Sequence, residues 1–344
     1  MSTGKSGLLE EICALDGKDD YFGIMRLIEK QREPDYALTL EYVRACVNAA
    51  ATVQDGYRLL ELASSGLDSW ASEGHADPRW LFYKGVILYR QGMIPDAMNR
   101  FKKALEYVKV GDPENLLAKC NAMLEQCRGR MIESEFPGLK AEDAQAVKLH
   151  VKEHFGDFVK LGESYKTEIL RVPPSAEHPF QLLVTCGLAG RALPVPEGYD
   201  AGVNARLELC LALPEQYDFQ GDRERNWEVF MLVSMIEHVI TSDHFIGFGY
   251  YADKENGFDG GGQFTGLMLT GLGDYSGECQ QVQLASGSLA RFYQLIPLKP
   301  YECAYRATHS AMDLLRLFAE KKTPLTPFYS GRADLCAQIG AARV

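Results

Sequence analysis

The chain of 344 residues is longer than the roughly 250 to 300 residues over which one core grows, so two domains are expected. Its hydrophobic fraction of 46% and charged fraction of 24% are those of a folded soluble protein and exclude a disordered chain. The net charge of −11, with neither half basic, argues against a grip on nucleic-acid phosphates or on an anionic membrane. No apolar run reaches the 18 residues that would span a bilayer, and the N-terminus lacks a signal-peptide core. Nine cysteines, an odd number without a C-x-x-C pair, fit free thiols in a reducing compartment, so the expected location is the cytoplasm. Cys186 and Cys210 lie inside strand-like runs, as buried thiols would.

From Leu8 to about Arg130 helical patterns alternate with short breaks, and an all-helical domain over residues 1–134 follows. Residues 8–31 read as a first pair-like element. Asp77 and Pro78 form a helix start, an N-cap acceptor followed by the residue best tolerated at the first helical position. Gly85, Gly92, Ala97, Phe101 and Ala104 then follow at spacings of seven, five, four and three residues. Small residues at 85 and 97 let two helices approach, Gly92 supplies the turn, and Phe101 fills the space toward the next helix. This pattern resembles the tetratricopeptide repeat, with departures at Leu88 and Lys109. A fainter copy runs through Ala45, Gly56, Leu60 and Ala63, and Asp112–Pro113 opens a further helix through Cys127 that would cap the stack. Phe82, Val86, Tyr89 and Arg90 would face a concave, peptide-holding groove, or Phe82 and Tyr89 would simply pack on the adjacent helix.

After a short hinge at residues 135–138 the pattern changes, and residues 138–344 read as an α+β domain. A helix is expected over Ala141–His154, strands over residues 167–172, 180–185, 205–213, 245–250, 264–270 and 290–297, and helices over Trp227–Ile240, capped by Asn226, and Tyr301–Lys321.

Four blocks in this half carry a second resemblance. LLVTCGLAGRALPVPEG (182–198), RLELCLALPEQYD (206–218), the helix WEVFMLVSMIEHVI (227–240) and FYQLIPLKPYECAYRATHSAMDLLRLF (292–318) occur in the order seen in the suppressor of fused family. HVKEHFG (150–156) resembles the helix that opens the domain in bacterial members, whereas HFIGFGYYADKENG (244–257) departs from the family's usual loop. The resemblance implies a mixed-sheet, protein-binding domain. In animals the family restrains a zinc-finger transcription factor, and many bacterial members accompany polymorphic toxins and are regarded as immunity proteins. Phe245, Tyr250 and Tyr251 of the departing loop are the candidate partner contacts in this domain. An acidic chain would suit a basic partner such as a nuclease toxin.

Catalytic sets are sparse. His150, Glu153 and His154 spell H-x-x-E-H, the order of inverted zinc peptidases, and Glu208 or Glu237 would have to complete the ligand set. A solvated helix end is the preferred reading. Gly4–Lys5–Ser6 has only the tail of a phosphate loop and reads as a flexible terminus, and Gly260–Gly262 reads as a turn beside Asp259. Ser242, Asp243 and His244 are sequence neighbours, which does not suit a catalytic triad. His309 shares a helix face with Tyr305 and Met312 and reads as a core or interface residue. The resulting expectation is a cytoplasmic protein that is not an enzyme, needs no cofactor, and binds and neutralises a protein partner. The alternatives are an adaptor or chaperone-like factor that holds peptides in its repeats and, less favoured, a zinc hydrolase.

Overall fold

The computed structural model describes residues 3–337 apart from 54–55, 110–111, 113–114, 221–224, 255–256 and 274, and the chain divides into two compact units, Met1–Met131 and Ile132–Val344. Among the described residues no helix is long and apolar enough to cross a membrane.

The first unit is helical: α1 (Thr3–Asp16), α2 (Tyr21–Glu29), α3 (Tyr36–Ala50), α4 (Tyr57–Asp68), the short α5 (Ala71–Gly74), α6 (Pro78–Arg90), α7 (Ile94–Tyr107) and α8, which starts at Leu116 and runs to Glu135. Gly4–Lys5–Ser6 lie within α1 and not in a loose terminus. Asp77 caps α6 by accepting from Arg79 N at 2.8 Å, and Asp112 accepts from Leu116 N at the start of α8; Pro113 lies outside the described residues. α6 and α7 pack across a turn in which Gly92 takes φ +81°. That left-handed conformation costs glycine little. At Gly85 a Cβ would lie 2.6 Å from Cε1 of Phe101, so the two helices meet only because residue 85 has no side chain. Ala97, Phe101 and Ala104 are fully buried, and the earlier pair α3–α4 buries Ala45, Leu60 and Ala63 in the same core.

The second unit has three layers. Its strands are β1 (Val159–Ser164), β2 (Thr167–Val172), β3 (Phe180–Cys186), β4 (Leu207–Pro214), β5 (Tyr251–Asp253), β6 (Gly266–Thr270), β7 (Gln281–Gln283) and β8 (Leu289–Leu298). They form one sheet in the order β1-β2-β3-β4-β8-β6-β5, with β7 and β6 on successive stretches of β8, residues 289–291 and 294–298. β4 and β8 run parallel, and the other pairs antiparallel.

Side-chain alternation assigns the faces. Leu207, Leu209 and Leu211 of β4 and Tyr293 and Leu295 of β8 point to one face, covered by Met231, Leu232, Met235 and Ile236 of α11 (Trp227–Thr241). The opposite face has two separate covers. Cys210, Ala212, Ala290 and Phe292 lie under Val147, Val151 and Phe155 from α9 (Ala141–His154) and the residue after it. Met268, Ile296 and Leu298 lie under α12 (Pro300–Thr308) and α13 (Ala311–Glu320), through Cys303, Leu314 and Phe318. A four-residue helix, α10 (Ala201–Asn204), precedes β4.

Three expectations need correction. Residues 245–250 are not a strand, because Gly247 and Gly249 turn the chain there and Gly249 takes φ +78°. The single helix expected over 301–321 is two: His309 and Ser310 are extended, and Ser310 and Asp313 form a capping box that restarts the helix. Asn226 precedes α11 but makes no capping hydrogen bond, since its backbone (ψ 35°) is not in the extended cap conformation. Within the expected hinge, Phe136 is buried and its carbonyl accepts from Lys166 Nζ at 2.8 Å.

Candidate functional site

The H-x-x-E-H helix is α9, and its histidines serve packing. His150 is 7% exposed, lies flat against Phe292 at 5.1 Å, and approaches the Cys279 carbonyl with Nε2 at 3.3 Å. Burial pushes its pKa down, favouring the neutral ring. His154 stands 4.4 Å from it, ring to ring. The carboxylates considered as a further ligand are not brought to this pair. Glu237 lies on α11, across the sheet from α9, and accepts from the Tyr165 hydroxyl. Glu208 is fully buried and saturated by Thr185 Oγ1 (2.5 Å), Gly187 N (2.9 Å) and Ala189 N (3.1 Å). Among the described residues no three His, Cys, Asp or Glu side chains gather as a metal site would need.

Glu208 makes stability depend on pH. Its burial is the main reason its pKa rises to about 7, against the hydrogen bonds that lower it. The folded state therefore keeps the proton to higher pH than the unfolded chain, and stability falls as pH rises from about 4.5 to about 7, levelling off above. At 1.36 kcal/mol per pKa unit the loss is about 3 kcal/mol. Urea unfolding at pH 5 and pH 8 checks this: Glu208→Gln should lose the part of the pH dependence that Glu208 contributes, and an unchanged difference between the two pH values would contradict the assignment.

Ser242 Oγ lies nearly equidistant from Nδ1 (3.0 Å) and Nε2 (3.3 Å) of His244, and Asp243 Oδ1 is 3.5 Å from Nδ1, so the hydroxyl is not in line with one ring nitrogen while the carboxylate holds the other. His238 Nε2 instead takes the Tyr250 hydroxyl at 2.5 Å, with His244 Nε2 at 3.4 Å from the same oxygen. Burial, with His244 nearby, lowers the His238 pKa and favours its neutral ring. His309 stacks on Tyr305 at 3.9 Å, and the helix break puts Met312 on the next element. Asp259 fixes the glycine turn by accepting from Gln263 N and Phe264 N.

The expected groove residues of α6 are engaged within their own unit. Phe82 packs on Tyr83 and Phe101, and Val86 is buried. Tyr89 lies under the Arg130 guanidinium at 4.3 Å, and Arg90 Nη1 donates to the Val47 carbonyl at 2.6 Å. Contacts from α3, α7 and α8 thus reach this face, on which Arg90 stays exposed and Phe82 and Tyr89 are half-buried. Two open clefts of this unit lie beside other residues, one of about 690 Å³ beside Asp77, Arg79, Tyr107 and Lys109 and one of about 440 Å³ beside Tyr42, Leu62 and Trp70.

In the second unit the loop residues diverge. Phe245 pairs with the exposed Tyr199 at 5.8 Å, Tyr250 binds His238, and Tyr251 opens β5 opposite Met268. Phe248, not among the sequence candidates, is 48% exposed and lines a groove of about 630 Å³. The sheet places this groove. Gln294 follows Phe292 and precedes Ile296 on one face of β8, where the α9 and α13 covers part, and it faces Thr270 of β6 in register. These two residues floor the groove; Met312, Leu315 and Ala319 of α13 form one wall, Gly271–Gly273 with Gln280 the other, and residues 323–326 close an end. Gln280 fixes its wall by hydrogen bonds to both Leu272 N (3.0 Å) and Leu272 O (2.8 Å). Gln294 holds the closing segment through Leu325 O (3.3 Å) and Thr326 Oγ1 (2.9 Å). Phe248 is anchored by the next residue: Gly249 N donates to Leu269 O (2.8 Å), and Gly249 O accepts from Arg306 Nη2 (2.7 Å).

Known proteins bear on this unit. The model of the suppressor of fused protein family matches residues 163–329. No curated protein matches the chain. Among solved structures, a suppressor of fused homologue from Neisseria gonorrhoeae shares 14% identity, with a TM-score of 0.40, over 57% of this chain and 98% of its own. The chain compared from the Sufu-Fu complex shares 10% identity, with a TM-score of 0.42, over 58% of this chain and 95% of its own. Drosophila Suppressor of Fused also shares 10% identity at a TM-score of 0.42, over 59% of this chain and 53% of its own. Residues 163–329, which hold all eight strands except the first four residues of β1, form a suppressor of fused domain.

Proposed function

We propose that the protein works by binding another protein through the groove of its second unit, and that it holds and neutralises that partner as bacterial immunity proteins do. The observation that carries this reading is the groove itself, a cleft of about 630 Å³ on a suppressor of fused domain, with Phe248 and Met312 each 48% exposed at its lining. Half-exposed aromatic and methionine side chains over a concave, mainly apolar surface are what protein interfaces use as anchors. Binding without chemistry fits the engagement of His150, Glu208 and His238 described above. Nine unpaired cysteines fit a reducing cytoplasm. In this reading the α3–α4 and α6–α7 pairs are tetratricopeptide-like repeats. The cleft beside Asp77 and Arg79 favours a second role for them, as an adaptor for peptides.

Affinity purification of the full chain from its source cells, followed by reconstitution with the retained protein, tests the reading. The expected result is a stable complex, relief of the partner's toxicity on co-expression, and about tenfold or greater loss of affinity for Phe248→Glu with an unchanged unfolding midpoint. Recovery of no protein partner at any salt concentration would overturn it. A partner without toxicity would favour the adaptor.

A further inference from the structure

We infer that the segment of the partner entering this groove is uncharged and apolar, so that recognition there is independent of the chain's acidic balance. This deepens the binding reading and rests on it. Charged residues make up 24% of the sequence, yet among the described residues none lines the groove. Several of its polar side chains are already engaged: Gln280 with both backbone groups of Leu272, Gln294 with residues 325–326, and Thr270 with the Gly271 carbonyl. A charge entering here would lose its water and find no counter-ion, a penalty that excludes ionic partners.

What the groove offers instead is apolar. Phe248, Leu272, Met312, Leu315 and Leu325 are large, and Ala319, one turn beyond Leu315 on α13, leaves space between them. Met312 adapts its unbranched side chain to the occupant's shape. The occupant is therefore a stretch of a partner protein that presents aliphatic or aromatic side chains. The −11 charge acts, if at all, on the approach of the partner and not on its hold at this site.

The test places the photo-crosslinking residue p-benzoylphenylalanine at position 312 of the full chain, and at position 149, an exposed leucine of α9, as control. The expected adduct from position 312 is a protein peptide whose crosslinked residue and neighbours are uncharged. With that partner purified, Met312→Glu should weaken binding about tenfold or more while Met312→Leu stays within about twofold. Dissociation should be unchanged between about 0.05 and 0.5 M salt, a range that screens exposed charge pairs. An adduct with a charged segment, with a second copy of this chain or with a small molecule would overturn the inference, as would binding indifferent to Met312→Glu. A partner retained without a 312 adduct defeats this inference alone; no retained partner defeats the binding reading as well.

Discussion

Glu302→Ala should cost the second unit about 3–5 kcal/mol, the range for removing one member of a buried ion pair. Glu302 is fully buried and Arg332 is 8% exposed at its side chain, joined by Nη1–Oε1 at 2.5 Å and Nη2–Oε2 at 2.6 Å. The same carboxylate accepts from Lys299 N at 2.9 Å and from Leu335 N at 3.1 Å, so it caps α12 and ties down the segment after α13 at once. Alanine leaves two backbone donors and a guanidinium without their acceptor. Arg332 keeps Pro297 O at 2.8 Å and its place 5.1 Å over the Phe318 ring, contacts that do not neutralise it. Replacing both partners with apolar residues of similar size should cost much less than Glu302→Ala. Urea unfolding of the two variants measures the difference. A loss below about 1 kcal/mol for Glu302→Ala would show that the pair is not the clamp described.

The second large effect lies in the helical unit. Phe101→Ala should cost about 3–5 kcal/mol, since a fully buried ring is removed from the α6–α7 contact. Gly85→Val should cost about 1–3 kcal/mol or more, because its Cβ meets Phe101 Cε1 at 2.6 Å and the helices must separate. The double variant gives the sharper result: with the ring gone, valine enters the vacated space, and the combined loss should be smaller than the sum. Helical circular dichroism during urea unfolding reads all three. Strict additivity would mean that Gly85 and Phe101 are not the coupled pair that sets the distance between α6 and α7.

The parts of the fold readable in the sequence are those fixed by local chemistry. Asp77–Pro78 names the start of α6 through a side-chain acceptor and a preset φ, and Gly85 with Phe101 names the helix contact through size alone. Strand β2 has the expected bounds because it is a short apolar run buried toward both layers, Ile169 on one face and Leu170 and Val172 on the other. By contrast, β1 is an exposed edge with an irregular register at Lys160–Gly162 and an ion pair between Lys160 and Glu163, features that protect an edge and erase its pattern. The break at His309–Ser310 had a signal, the Ser310-x-x-Asp313 capping box, hidden inside a helical pattern on both sides.

The candidate site was far less legible. Phe245, Tyr250 and Tyr251 drew attention as aromatic residues in a divergent loop, yet Phe248 between them is the one that reaches the groove. Nothing local marks it. The groove joins residues 248, 270–273, 280, 294, 312, 315, 318, 319 and 323–326, which meet only because β6 and β8 are neighbours and because the two helical covers of that face part at Gln294. On α6, the spacing of Phe82, Val86, Tyr89 and Arg90 identifies one helix face, but not the contacts that its residues make with Val47, Phe101 and Arg130.

Hydrogen exchange of the full chain, free and saturated with its purified partner, tests the central claim most directly. Binding at the groove should slow exchange in residues 246–250, 268–280 and 311–326 together, while α9 and β1 exchange as in the free protein. Protection confined to the helical unit or to the β1 edge, with those three segments unchanged, would contradict the account.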